Sequence, residues 1–284
     1  MAGATRDVFE HLPEEAVVLF YVLTAITLAV FFFGLWLRVR KYRSGRGGYR
    51  FTLAGFPGRL GAAIWTIAKH TTIGRDDAYV RISHFLTFWG FAALFAATAI
   101  LTLDNDIARR FWPPGFWHGT FFLGYEFGAD LGGVALVVGV LMLMVRRWVL
   151  RPFRLSYRRV DLPPERYDRG DYSRGDALFL VVLLGLGLSG FLLEGARLVA
   201  DHPDYPTSFS FAGAAVAVLL RAGGLASGAA ETLRLVTWWS HALFALAFVA
   251  YLPYGKGVHM FLDPATLVLR DELAGRRLPA AGGA

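Results

Sequence analysis

Three histidines, His84, His241 and His259, lie in strongly apolar stretches of this chain. Ionisable side chains at membrane depth are costly, and by default they mark a working site. His241 and His259 are 18 residues apart in the last apolar run, Trp238–Phe261. At about 100° and 1.5 Å per residue, a continuous helix brings both to one face, roughly 27 Å apart. That is close to the roughly 30 Å of a bilayer's hydrocarbon core. The spacing predicts one metal-binding nitrogen near each membrane surface, as two stacked redox centres require.

The elements that must position these residues are membrane helices. The 284 residues are 55% hydrophobic, with 24 Phe, 8 Trp and a mean hydropathy of +0.45. Soluble chains are less apolar, and here the apolar residues come in long blocks. Five blocks reach the about 20 residues a helix needs to span: Ala16–Val39, Ala78–Leu103, Gly124–Val145, Ala177–Val199 and Trp238–Phe261. No run of alternating ten-residue segments supports a β-barrel. The expected fold is all-α, a five-helix integral membrane bundle over 16–262. Residues 1–15 form an outer segment and 263–284 a cytoplasmic tail. Met1–Glu15 has no apolar core and does not read as a signal peptide. Pro57–His70 reads as a surface-lying helix. Phe209–Leu220 is apolar but too short to span, so it reads as interfacial or re-entrant.

Basic residues set the orientation. The Arg38–Arg81 region carries ten Lys/Arg, Arg146–Arg174 nine and the tail from Lys256 four, against six on the opposite side. With positive loops inside, the N-terminus is out and the C-terminus cytoplasmic, in a cell (inner) membrane. Topology and anionic lipid account for the net charge of +7 without a nucleic-acid partner. With no cysteine, the chain has no disulfide, thiolate-bound or c-type haem, or iron–sulfur cluster of its own. Any metal here is held by His or carboxylate.

Depth decides how the histidines pair. His84 enters the second span from the inner side, and His259 leaves the fifth at the same side. They are the expected axial pair of an inner haem b, with the small Ser83 and Gly257 leaving room for a porphyrin edge. His241 sits near the outer surface; its partner is one of His118 or His70, the alternative being that it has no histidine partner. Arg75, Asp76 and Asp77 separate His70 from His84, so His70 is expected in water or headgroups. His11 and His202 read as solvent-exposed. Lys256 and Arg81 are candidates to neutralise a haem propionate. Glu194 and Arg197, three residues apart, are candidates for a quinone pocket, with Asp130 a further one.

The pattern resembles the membrane cytochrome b family of nitrate reductase gamma subunits. It is more closely similar to the membrane cytochrome of heterodisulfide reductase and related membrane-anchored iron–sulfur reductases. The motifs are His84-x4-Trp89-Gly90-Phe91, Tyr125-Glu126-Phe127-Gly128-Ala129-Asp130, Gly190-Phe191-Leu192-Leu193-Glu194-Gly195-x-Arg197 and Trp239-x-His241 through Leu252-Pro253-Tyr254-x-Lys256-x-x-His259-Met260-Phe261. The resemblance implies five helices, one or two haems b and exchange of electrons with the quinone pool. Gamma subunits carry a second histidine ten residues after the first on the second helix; that position is Leu94 here. Many relatives continue into an iron–sulfur domain, so a cytoplasmic iron–sulfur reductase subunit or domain is the implied partner. The expected role is a quinone-linked electron-transfer subunit. A haem-free membrane anchor and an ion or solute transporter are the rivals.

Overall fold

A computed structural model describes residues 5–6, 8–10, 12–43, 55–70, 73–74, 77–152, 155, 170–200 and 207–269. His11, His202, Arg75, Asp76, most of the loop expected at 151–174 and the tail from 270 lie outside the described residues. Among those described there is helix and turn but no strand. In chain order the helices are α1 (Glu14–Arg43), α2 (Phe56–Lys69), α3 (Ala78–Thr102), α4 (Gly119–Val145), α5 (Gly170–Ala200), α6 (Phe211–Ala222), α7 (Ser227–Tyr251) and α8 (His259–Leu269). A π-helical turn, Leu103–Ala108, extends α3, and another, Arg146–Leu150, extends α4. Five helices are long and apolar enough to cross a membrane: α1, α3, α4, α5 and α7.

Four of these spans fall where the apolar blocks lie, lengthened at their ends. The last does not. The membrane-length helix there is Ser227–Tyr251, not Trp238–Phe261. The first turns carry Glu231 and Arg234, which satisfy each other at 2.9 Å, and Arg234 also reaches Glu10 at 3.5 Å. At the other end Pro253 has no N–H to continue the ladder. A turn and the short 3-10 segment Lys256–Val258 follow before α8 begins at His259. His241 and His259 are therefore not on one rod, and the same-face, 27 Å argument does not hold. Arg38 of α1 fixes the break by donating to the Pro253 carbonyl at 2.9 Å and the Tyr254 carbonyl at 3.1 Å.

The spans pack in a row, α3 on α4, α4 on α5, α5 on α7, with α1 against α7. Phe91 of α3 meets Phe248 of α7 at 6.1 Å between rings, which folds the row back on itself around Leu136, Val140, Leu183, Phe248 and Leu252. Without a hydrophobic drive in lipid, helices associate through close backbone contact at small residues. The α3–α4 crossing follows that rule. A methyl on Gly90 would meet the Gly132 carbonyl at 2.6 Å and the Leu136 Cα at 2.8 Å, and one on Gly139 would meet the Thr87 nitrogen at 2.5 Å. The turn from α3 to α4 is clamped by the buried Asp104. It accepts from the Phe116 and Trp117 amides at 2.7 and 3.0 Å and from Arg109 at 2.8 Å.

Candidate functional site

Ionisable side chains cluster at three levels of the bundle. At the level where α3 begins, Asp77 caps the helix by accepting from the Val80 N–H at 3.1 Å, and Arg146 donates to its other oxygen at 2.9 Å. The Arg146 hydrogen bond, then the capping bond, holds the Asp77 carboxyl below its ordinary range. Two turns on, His84 projects toward the end of α2. There His70 terminates α2 in the left-handed region, φ 50°, a conformation costing a non-glycine residue about 1–2 kcal/mol. Its ring is packed by Phe88 at 4.9 Å and Phe85 at 5.4 Å, and its Nε2 lies 3.1 Å from His84 Nδ1. The tryptophan of the His84-x4-Trp motif, Trp89, donates to the Ala68 carbonyl at 3.3 Å and holds α2 there.

His70 is thus 3% exposed, not in water or headgroups. The charges at 75–77 do not keep it out, because α2 ends in a turn that folds the imidazole back under the helix. Burial pushes its pKa down and favours the neutral ring. Its Nδ1 is buried without a hydrogen-bond partner among the described residues, an arrangement native structures seldom tolerate unless the site has a further occupant. His259 opens α8, which packs on α2, and lies within electrostatic range of His84. Its ring is exposed, and Nδ1 donates to the Lys256 carbonyl at 2.6 Å. That bond leaves Nε2 as a bare lone pair, the orientation metal-ligating histidines adopt.

The other expectations for this level change. Lys256 pairs with Asp176, whose second oxygen takes Arg147 at 2.5 Å, so its charge is already matched within the chain. Burial, then the nearby Arg147, pushes the Lys256 ammonium pKa down. Arg81 is exposed. Neither small residue leaves a void: Ser83 is wholly buried against α4, and the space beside Gly257 is filled by Leu252 and Phe179.

In mid-bundle, His241 lies on the face of α7 that meets α5. Its Nδ1 is 2.8 Å from Ser189 Oγ, and Gly190 brings backbone against the ring. Neither candidate partner joins it. His70 stands against His84, and His118 is exposed before α4, with Nε2 donating to the Gly115 carbonyl at 3.2 Å. Among the described residues no group of three or more His, Cys, Asp or Glu is arranged to hold a bare metal ion.

At the far end, Glu194 and Arg197 do pair, at 2.6 Å, but as part of a larger network. Arg197 also reaches Glu126 at 3.1 Å. Arg6 reaches Glu194 at 3.0 Å, and Ser210 donates to Glu126 at 2.9 Å. Asp130 stands apart from these pairs and accepts from the Ala212 N–H at 2.6 Å, docking the start of α6. Glu126, Asp176, Asp104 and Arg6 hold these clusters together and are not among the residues expected from sequence to form a site. Glu126 and Asp130, four apart on an otherwise apolar span, share a helix face, and that signal was available.

No protein-family model matches the chain. It is 25% identical over 279 residues, 94% of its length, to a protein of Syntrophomonas wolfei named EtfAB:quinone oxidoreductase, of which it covers 35%. Over 141 residues, 49% of its length, it is 30% identical to a probable iron-sulfur-binding oxidoreductase, FadF, of Bacillus subtilis, of which it covers 18%. The chain spans about a third and about a fifth of these relatives. The similarity is to oxidoreductases, with quinone in one relative's name and iron-sulfur binding in the other's; a nitrate reductase gamma or cytochrome b family does not emerge from it.

Proposed function

We propose that the chain is the membrane part of a quinone-linked oxidoreductase, a b-type cytochrome that carries electrons between a quinone and an iron–sulfur partner. The observation that carries this reading is the pair of imidazoles at one end of the bundle whose Nδ1 positions are already engaged, His259 on the Lys256 carbonyl and His84 on His70. Both then offer Nε2 outward. The names of the two relatives, one a quinone oxidoreductase and one iron-sulfur-binding, supply the two exchange partners.

Residue chemistry fits a haem held by His84 and His259. The 3.1 Å between His70 and His84 is too short for an iron between those two, since each metal–nitrogen bond takes about 2 Å. His70 is therefore a hydrogen-bond partner that orients His84. When bound, haem supplies one-electron chemistry at a potential set by ligands, burial and nearby charge. The chain's own residues bind it, orient the imidazoles and keep water out with Phe85, Phe88 and the α2 cap. Lys256 and Arg81 remain the propionate candidates, Lys256 sharing its charge with Asp176. Positive loops facing inward put this end and the C-terminus at the cytoplasmic surface, the N-terminus outside, and the basic flanks of α1 and α4 toward the iron–sulfur partner. A quinone enters from lipid in the half of the bundle below Glu194 and Arg197, with Asp130 fixing α6 beside it.

Pyridine haemochrome quantification on purified chain tests this reading, with one haem expected per polypeptide. His84→Ala and His259→Ala should each abolish the same low-spin spectrum. A haem-free native protein, or an unshifted full spectrum in either variant, refutes it.

A further inference from the structure

We propose that His241 is the hydrogen-bonding site for a quinol headgroup, with Nε2 accepting from one quinol hydroxyl; this rests on the quinone-linked reading above and gives it a residue. Ser189 has a single hydroxyl proton, and it is donated to the Leu186 carbonyl at 3.1 Å. With that proton on the Leu186 carbonyl, we read the 2.8 Å contact with His241 as Nδ1–H donating to Ser189 Oγ. That assigns the ring proton to Nδ1 and leaves Nε2 a bare acceptor. Among the described residues no hydrogen bond satisfies it.

Depth in an apolar span disfavours water as its ordinary partner. His241 is 14 residues from the start of α7 and 10 from its end, about 21 and 15 Å along the axis. At that depth the hydrocarbon offers no donor, so the missing donor must itself be lipid-soluble. A quinol hydroxyl is such a donor, and it needs only one acceptor.

A low-spin, bis-imidazole haem iron at His241 would need a second histidine, and none is at hand among the described residues. His118 and His70 are engaged elsewhere, and Leu94 packs against the apolar core. In the Glu126–Arg197–Glu194–Arg6 network each carboxylate is paired with an arginine. The network roofs the site, since Glu194 is one turn beyond Gly190, the residue against the His241 ring. The Phe91–Phe248 contact relates the levels of α3 and α7. His84 and His241 each lie seven residues from it in opposite directions, so the two imidazoles are about 20 Å apart along the bundle.

The test uses the full chain in detergent, kept anaerobic. The probes are menaquinol-4, decylubiquinol and their O,O-dimethyl ethers, which cannot donate a hydrogen bond. Affinity is read from quenching of tryptophan fluorescence. The native chain should bind one quinol at least about tenfold more tightly than its ether. H241F should lose about tenfold in quinol affinity, close to the ether's value, and S189A about threefold, both with unchanged haem per chain. Equal native affinity for quinol and ether overturns the proposal without any variant, as does an H241F protein that keeps native quinol affinity. Loss of a second haem in H241F makes His241 an iron ligand and overturns it as well. A haem-free native protein that still discriminates quinol from ether sinks the cytochrome reading and leaves this site standing.

Discussion

Arg197→Ala tests whether the far-end network is structural. Arg197 is buried and holds two carboxylates, Glu194 at 2.6 Å and Glu126 at 3.1 Å. Without it Glu126 keeps the Ser210 hydroxyl and a distant Arg6 at 3.9 Å. Breaking a buried pair from one side costs about 3–5 kcal/mol. The loss is capped by the alternative of protonating one carboxylate, about 1.4 kcal/mol per pH unit above about 4.3, or close to 4 kcal/mol at pH 7 and 1 kcal/mol at pH 5. The R197A deficit should therefore shrink by about 3 kcal/mol between those pH values. Adding E126Q to R197A should recover much of it at pH 7, because no uncompensated charge is then buried. Reversible unfolding in mixed micelles, followed by circular dichroism, reads all three. A deficit below about 1 kcal/mol at pH 7, or one independent of pH, refutes the buried-network argument. Quinol affinity measured on the same protein separates the roles: a structural Arg197 changes stability first, whereas a headgroup ligand changes affinity with stability intact.

Further outcomes follow from the other contacts. His70→Ala removes the partner of His84 Nδ1 and should shift the haem midpoint potential, while His70→Gln, whose amide oxygen can accept from His84, should shift it less; identical potentials in native, H70A and H70Q protein remove His70 from the site. Gly90→Val drives a side chain into the α4 backbone and should cost about 1–3 kcal/mol by overpacking with loss of haem occupancy, while Gly124→Ala, which meets nothing within 4 Å, should be neutral; similar unfolding curves for the two would refute the tight crossing. The depressed Asp77 carboxyl contributes stability that is full above its ordinary value of 3.8 and is lost as pH falls through the lower folded value; D77N should flatten that acid limb in a thermal unfolding series. Arg146 and Arg147 are spent on Asp77 and Asp176, so neutralising Arg151, Arg154, Arg158 and Arg159 should slow electron transfer from an iron–sulfur partner and blunt its salt dependence, while R146Q and R147Q should chiefly lower thermal stability; equal kinetic effects would put the docking surface on all six.

Hydropathy made most of the fold legible, because a run of about 20 apolar residues has few alternatives in lipid or in a core. It misplaced the last span, whose first turns carry Glu231 and Arg234, a pair satisfied three residues apart that composition does not show. The site was legible in its residue types and less so in its partnerships. Proximity of His70 to His84 depends on a left-handed residue ending α2; histidine enters that region more readily than most side chains, but the conformation stays uncommon and no spacing rule places it at residue 70. Glu194 and Arg197, singled out for a quinone pocket, do pair, but Glu126, Arg6 and Ser210 join them from three separate segments, which spacing along the chain does not show.

The misplaced span also changes what the histidine spacing means. On one continuous rod, His241 and His259 would be equivalent ligands at two surfaces. With α7 ending at Tyr251, they have different neighbours. His259 follows a turn held by Arg38 and sits on a short helix against α2, where the His70–His84 pair is close by. His241 stays inside the bundle, held by a serine on α5 and facing no second imidazole. A bis-imidazole iron would need a histidine on each side, and a quinol needs one acceptor and access from lipid. The proline that breaks the helix thus gives the two histidines the different surroundings on which the proposed haem and quinol sites rest.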